Sequence, residues 1–151
     1  METTTQQTRC LAAYLCGMDV SKFSDHTVDI TKMCIEDFIG VAIAGSAKKE
    51  SGIWKEYYSG KLTAPQASTF QPGFAQMTVE QAAALNAVFG HVMDMDDVHN
   101  ASITHLAVIT VPTAFALGQQ LGKSGKEIIE AVAAGYEAGA RIGEAINPSS
   151  Y

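Results

Sequence analysis

Cysteine is scarce in this sequence, and its spacing does not suggest a metal site. The three cysteines, Cys10, Cys16 and Cys34, form neither a CxxC pair nor a zinc-finger pattern. An odd number of cysteines also argues against a disulfide framework. Each cysteine lies among apolar residues of a predicted helix, so we expect three buried thiols with no catalytic role.

Positive charge and long apolar runs are scarce as well. The 10 Lys and Arg residues are outnumbered by 16 Asp and Glu residues, the formal net charge is −6, and the cations are scattered along the chain. This pattern disfavours a nucleic-acid partner. Apolar runs stop short of the ~18 residues that a membrane helix needs, and the N-terminus lacks the features of a secretory signal. We therefore predict a cytoplasmic protein without a membrane partner.

Phosphate-binding loops and nucleophile motifs are missing from the sequence. Neither GxGxxG nor GxxxxGK[ST] occurs, so a nucleotide ligand is not indicated. No serine lies in a GxSxG elbow, and no cysteine has obviously polar neighbours, which disfavours nucleophilic catalysis.

Apolar residues recur at helical spacing through most of the chain, whereas period-two alternation is not convincing anywhere. Capping-box patterns at Thr78–Gln81 and Ser124–Glu127 predict two sharp helix starts. Pro112 either kinks a helix or marks its start, and Gly122 ends it. We predict an all-α fold, with residues 1–151 forming one multi-helix domain. The predicted helices are 8–18, 27–44, 49–59, one beginning at Thr78, 105–121 and one following Ser124, with 62–74 mostly loop.

The segment from His91 to His105 contains three of the four histidines and three carboxylates. If the helix that begins at Thr78 continues to Asp97, then His91, Asp94 and Asp97 share one side of it. Asp96 would point elsewhere under the same assumption. Crowded carboxylates among apolar neighbours can act as general acids, and histidine exchanges protons near neutral pH. The segment therefore indicates acid/base chemistry.

Two other interpretations of this segment remain open. Aspartate and histidine also cap helices and occupy exposed turns, in which case the segment has a structural role. Alternatively, His91, Asp94, Asp97 and His99 offer oxygen and imidazole ligands for manganese, iron or zinc, although their spacing matches no closed metal motif.

Several motifs distributed along the chain resemble those of one enzyme family, MmgE/PrpD, which includes 2-methylcitrate dehydratase and cis-aconitate decarboxylase. The motifs are Asp37–Gly45, Ala84-Leu85-Asn86 before His91, Asp94-Met95-Asp96-Asp97, Thr104-His105, Ala134–Glu137 and Arg141-Ile142-Gly143. The resemblance covers the chain from about Thr8 to Tyr151. The sequence departs from the family pattern at Val98, where a threonine is usual, and at Leu106, where proline is common.

The resemblance implies a cofactor-free lyase whose helical domain and smaller α/β domain enclose a di- or tricarboxylate. It assigns the active-site aspartate to Asp94 and the active-site histidine to His105, with His99 and Asp97 as further catalytic candidates. It implies a homodimer, and it implies that these residues form an N-terminal helical part to which a C-terminal domain or partner subunit is added. Dehydration of a 2-methylcitrate-like substrate is the leading prediction. Decarboxylation, epimerisation or isomerisation, and a non-catalytic helical assembly module, are the alternatives.

The charges of the segment add a constraint to this prediction. A polyanionic substrate would be repelled by the three aspartates unless lysine or arginine intervenes, and the segment contains neither. We predict His91, Ser102 and Arg141 as substrate contacts, with Lys61 as a further cation. Because most of the cations must come from outside these residues, we expect the 151 residues alone to show negligible catalysis, and no metal or other cofactor is predicted.

Overall fold

The computed structural model of the protein describes residues 2–59 and 65–147. Within this part, six helices, a short 3₁₀ turn and one two-stranded hairpin follow each other along the chain. They are α1 (Glu2–Cys16), the 3₁₀ turn (Val20–Lys22), α2 (Asp25–Ser46), α3 (Lys49–Ser59), β1 (Ala67–Ser68), β2 (Gln76–Met77), α4 (Val79–His91), α5 (Ala107–Gln120) and α6 (Gly125–Ile146). Because the antiparallel hairpin pairs only two residues on each strand, the all-α prediction is confirmed.

The predicted helix starts at Thr78 and Ser124 are confirmed by their caps. The Thr78 hydroxyl accepts a hydrogen bond from the Gln81 backbone N–H at 3.4 Å. Ser124 and Glu127 form the complete reciprocal capping box at the start of α6. At the end of α5, Gly122 adopts a φ of +62°, a left-handed conformation that favours glycine.

Other predicted boundaries differ from the structure. The first helix begins well before residue 8, and the segment predicted as loop contains β1, although its residues 62–64 lie outside the described part. The helix predicted from 105 begins at Ala107, so Pro112 lies inside α5 and does not mark its start. The helix that begins after Thr78 ends at His91 and does not reach Asp97. Sequence periodicity locates a helix better than it locates its last turn.

The core lies where α4 packs between α2 and α5. Its largest fully buried apolar side chains come from four helices and are Phe38, Leu85, Phe89, Val111 and Val132. Burying side chains of this size stabilises a fold by about 1.5–3 kcal/mol each, before entropic costs are counted. The core thus fixes the position at which α4 ends and α5 begins.

Two glycines allow α2 and α4 to approach closely. A Cβ on Gly45 would lie 1.9 Å from the Phe89 carbonyl oxygen, and a Cβ on Gly90 would lie 2.2 Å from the Phe38 ring. Both distances are far below van der Waals contact. The end of α4, which carries His91, is therefore seated directly against α2.

Small residues of α6 allow the same close approach to α5 and to the loop before it. A Cβ added at any of three α6 glycines would lie within about 2.5 Å of a neighbouring side chain. The pairs are Gly135 and Thr110, Gly139 and Leu106, and Gly143 and Ser102. The sequence of this helix is rich in glycine and alanine, a pattern that predicts close helix packing, and the structure confirms that prediction. The loop between α4 and α5 is consequently held against α6.

The prediction of three buried thiols is wrong. Cys10 and Cys16 are exposed on α1, and Cys34 is half-buried on α2. Apolar neighbours in sequence do not bury a residue when the helix covers the core with another face. Within residues 2–59 and 65–147, no helix is both long and apolar enough to span a membrane.

Candidate active site

The loop between α4 and α5 returns the chain to the end of α4. Asp94 makes the first turn, with a φ of +52° and its backbone N–H donating to the His91 carbonyl at 2.9 Å. Farther along, His99 and Thr104 pair as an isolated antiparallel bridge. The result is that His105, 14 positions after His91, lies beside it, with the ring centroids 4.9 Å apart in an edge-to-face arrangement.

The buried centre of this arrangement is the carboxylate of Asp96, whose side chain is 0% exposed. His91 Nδ1 lies 2.9 Å from Asp96 Oδ1 and 3.1 Å from Oδ2. His105 Nδ1 lies 3.2 Å from Oδ2, close enough for an ion pair but not aligned for a hydrogen bond. The sequence-based expectation that Asp96 points away from the cluster is therefore wrong. It assumed a continuous helix, whereas the chain leaves the helix after His91.

The solvent side of the cluster is formed by Asp94 and His105. The distance from His105 Nε2 to Asp94 Oδ1 is 3.9 Å. The Asp94 side chain is 82% exposed and that of His105 is 30% exposed. An acid/base pair in this arrangement can meet a small molecule from solvent while its imidazole is held from behind.

Asp97 faces away from the two imidazoles and joins two helices. Its Oδ1 accepts the Ala107 backbone N–H at 2.9 Å, at the start of α5, and its Oδ2 accepts the Tyr136 hydroxyl at 2.7 Å. Burial, together with the adjacent Asp97 carboxylate, raises the pKa of Tyr136 well above its usual value. Burial also raises the pKa of the neighbouring Cys34 thiol. The structure gives Asp97 a clear positional role beside its predicted catalytic one.

His99 and Ser102 lie together, but apart from His105. The distance from His99 Nδ1 to Ser102 Oγ is 2.9 Å, and His99 Nε2 lies 3.9 Å from Glu144 of α6. His99 faces a cavity of about 330 Å³ between α2 and α6, whose lining includes Cys34 and Tyr136. These two predicted site residues therefore contact each other, with His99 also close to α6, and neither is part of the cluster around Asp96.

Arg141, the predicted substrate cation, is engaged within α6 and with α1. Its guanidinium pairs with Glu137 and lies 5.8 Å from the centroid of the Tyr14 ring. The contact with Glu137 raises the pKa of Arg141. The structure does not bring Arg141 to the cluster of His91, Asp94, Asp96 and His105. The other predicted cation, Lys61, lies outside the described residues.

A metal ion could be held by a set of donors that differs from the predicted set. One ligand atom each from His91, Asp94, Asp96 and His105 lies within 4.8 Å of the others. Imidazole and carboxylate donors of this kind suit zinc, iron or manganese. Asp97 and His99, which belonged to the predicted set, are replaced by Asp96 and His105, because Asp97 and His99 face other partners.

The fold and this cluster together define a helical domain that carries two carboxylates and two imidazoles where the loop between two core helices returns to the end of α4. The chain belongs to the MmgE/PrpD family, because residues 9–151 match the model of the MmgE/PrpD N-terminal domain. The resemblance found in the sequence is therefore confirmed.

The relatives that match part of the chain include two Aspergillus proteins. One is a cis-aconitate decarboxylase of Aspergillus terreus, 36% identical over 80 residues, which cover 49% of this chain and 16% of that protein. The other is the cis-aconitate decarboxylase-like protein oryM of Aspergillus oryzae, 32% identical over 74 residues, covering 44% and 15% respectively. The matched segments thus span about one sixth of each relative's length.

Proposed function

We propose that this chain supplies the acid/base part of the active site of an MmgE/PrpD-type lyase, with His105 moving the proton. The observation that carries the proposal is the 3.9 Å separation of His105 Nε2 and Asp94 Oδ1 at the solvent side of the cluster. Asp94 is the acid/base partner or orients the substrate. Both residues occupy positions that match the family motif.

The chemistry of such lyases suits a single well-placed proton carrier. In a dehydration, a base removes the proton next to a carboxylate and an acid protonates the departing hydroxide. In a decarboxylation, the electrons left on carbon when carbon dioxide departs take up a proton. Either reaction gains about 10²–10⁴-fold from a positioned general acid or base and needs no cofactor for the proton transfer.

The substrate proposed is a small di- or tricarboxylate. The names of the two matched relatives make cis-aconitate the first substrate to test, with loss of carbon dioxide. The dehydration of a 2-methylcitrate-like substrate is the second. Val98 stands where a threonine is usual in the family, so one hydroxyl hydrogen bond to the substrate is lost at this position.

The charges around the cluster support an active site that is completed by groups from outside these residues. A tricarboxylate beside Asp94 and Asp96 needs cations, and the guanidinium of Arg141 is held by Glu137. We therefore propose that a C-terminal domain or a partner subunit supplies the anion-binding groups, and that the active form is a homodimer. The 151 residues alone should show negligible turnover.

The test compares variants in a complete, active assembly that contains this chain. We expect His105→Asn to lower kcat for cis-aconitate by roughly 10²–10⁴-fold, and Asp94→Asn to lower it as well. The matched control is His26→Asn, at an exposed histidine near the start of α2. If both site variants retain full turnover and fold normally, the segment is structural and the chain is an assembly module.

The same assay, run in D₂O, distinguishes the other reactions. Deuterium at the carbon next to a carboxylate, without release of carbon dioxide or water, would indicate an epimerase or isomerase. Elemental analysis of the active preparation tests the metal alternative, since a stoichiometric transition metal whose removal abolishes turnover would favour it over metal-free acid/base catalysis.

A further inference from the structure

One carboxylate in the candidate site serves two imidazoles. The Asp96 side chain is fully buried, and the Nδ1 atoms of His91 and His105 both approach it, at 2.9 Å and 3.2 Å. His91 Nδ1 is nearly equidistant from the two carboxylate oxygens, so it shares Oδ2 with His105. In the part of the chain that the structure describes, no lysine or arginine forms an ion pair with Asp96.

The tautomer of each histidine follows from these contacts. A lone pair on Nδ1 would face a carboxylate oxygen and be repelled, whereas a proton on Nδ1 is attracted. For His105 the argument is stronger, because its Nδ1 is buried and, among the described residues, makes no hydrogen bond that could compete with the Asp96 carboxylate. His105 Nδ1 is within hydrogen-bonding distance of Oδ2, at 3.2 Å, so a change in the orientation of the ring is enough for its N–H to donate to that oxygen.

We propose that Asp96 is the positioning residue of the site, which fixes both His91 and His105 as Nδ1–H tautomers. The Nε2 atom of His105 then carries the lone pair and faces Asp94 and solvent. This is the atom that would take a proton from a substrate or return it. Asp96 itself touches no substrate in this arrangement, since its side chain is covered.

The effect of Asp96 on turnover rests on the proposed function, whereas its effect on the two tautomers does not. In an active assembly, Asp96→Asn should lower kcat about 10–100-fold, as the loss of an orienting partner does, with KM changed less than about twofold. A merely structural Asp96 would instead reduce the amount of folded protein and leave kcat per folded molecule unchanged.

The direct test uses the protein labelled with ¹⁵N-histidine, with a chelator present to exclude metal ions. Long-range ¹H–¹⁵N correlation spectra are recorded over increasing pH until the imidazole resonances stop moving, so that the neutral rings are observed. For His91 and His105 we expect Nδ1 in the protonated range and Nε2 in the lone-pair range. Free histidine prefers the opposite tautomer, and His26, exposed on α2, supplies that reference in the same spectrum.

Two matched variants remove the same charge from opposite sides of the His105 ring. Asp96→Asn should reduce the ratio of Nδ1–H to Nε2–H tautomer about tenfold or more at both histidines, because the carboxylate charge that attracts each Nδ1 proton is removed. Asp94→Asn should leave that ratio unchanged or raise it at His105, since Asp94 faces Nε2.

The result that overturns the proposal is an Nε2–H tautomer at both His91 and His105 in the unmodified protein, a measurement that stands even if Asp96→Asn does not fold. If the unmodified assembly shows the expected tautomers but no turnover of the proposed substrates, the proposed function is refuted and the role of Asp96 stands. Turnover with unchanged tautomers in Asp96→Asn would do the reverse.

Discussion

Asp97 connects three parts of the chain through its two carboxylate oxygens. One oxygen accepts the backbone N–H of Ala107, where α5 begins, and the other accepts the hydroxyl of Tyr136, in the middle of α6. A carboxylate at a helix N-terminus also interacts favourably with the helix dipole. The contact therefore fixes the loop that carries Asp96 relative to both helices.

The Tyr136 hydroxyl is the part of this connection that can be removed cleanly. We expect Tyr136→Phe to lower the free energy of unfolding by about 1.5–3 kcal/mol, because a hydrogen bond to a charged acceptor is lost while the ring is kept. Urea denaturation measures the change. The control is Tyr14→Phe, at a phenol that is half-exposed on α1, and it should change stability by less than about 0.5 kcal/mol. Equal effects of the two changes would contradict the assigned role.

At the scale of residues, the family motif located Asp94 and His105, and the structure places them 3.9 Å apart. The sequence could not locate Asp96 at the centre of the cluster. Its orientation depends on the chain leaving the helix after His91 and turning at Asp94 with a positive φ. Local periodicity contains no signal for this turn, because a single residue in the left-handed conformation redirects the chain that follows it.

At the scale of elements, the contact between α2 and α4 depends on Gly45. We expect Gly45→Ala to destabilise the protein by roughly 1–3 kcal/mol or more, because the added Cβ would lie 1.9 Å from a backbone carbonyl oxygen that cannot move independently. The measurement is the free energy of unfolding.

The matched control for this change lies five residues earlier in the same helix. Gly40 is exposed, and a Cβ there would meet nothing within 4 Å. Gly40→Ala should therefore stabilise the protein by about 0.5–1 kcal/mol through helix propensity alone. The opposite signs of the two changes are the prediction, and two changes of the same sign would contradict it.

The capping box of α6 predicts a pH dependence. The Lys123 ammonium, followed by the Ser124 backbone N–H and hydroxyl, lowers the pKa of Glu127 from its ordinary value of 4.5 to about 2. Because the folded-state pKa is the lower one, the stabilisation is fully present above about pH 4.5 and is lost as the pH falls towards about 2.

The variant Glu127→Gln tests this dependence, since glutamine keeps a hydrogen-bond acceptor but does not titrate. The difference in unfolding free energy between the protein and the variant should shrink as the pH falls from 4.5 to 2. A difference that stays constant over this range would show that the cap does not depend on the charge of Glu127.

At the scale of the whole molecule, many large apolar side chains remain exposed on the described part of the chain. Examples from α2 and α3 are Met33 at 61% and Ile53 at 67%. The family resemblance predicts a homodimer. We expect sedimentation equilibrium to give a mass twice that of the single polypeptide, whether this chain or a longer chain that contains it is measured. A monomer at every concentration up to the solubility limit would contradict this prediction.

The helical class, the capped starts of α4 and α6, the close packing of α6 and the segment that holds the candidate site could all be predicted from the sequence alone. These features depend on local propensity, on apolar periodicity and on motifs whose residues lie near one another along the chain. Membership of the MmgE/PrpD family could be predicted for the same reason.

The tertiary structure alone determines which acids and imidazoles form one cluster. It brought His105 to His91, buried Asp96 between them, and directed Asp97 and His99 towards α6. It also showed that the cysteines are not buried and that Arg141 is paired with Glu137. Each of these facts depends on where one helix ends and on which element packs beside it, and both are set by the shape of the core formed by α2, α4 and α5.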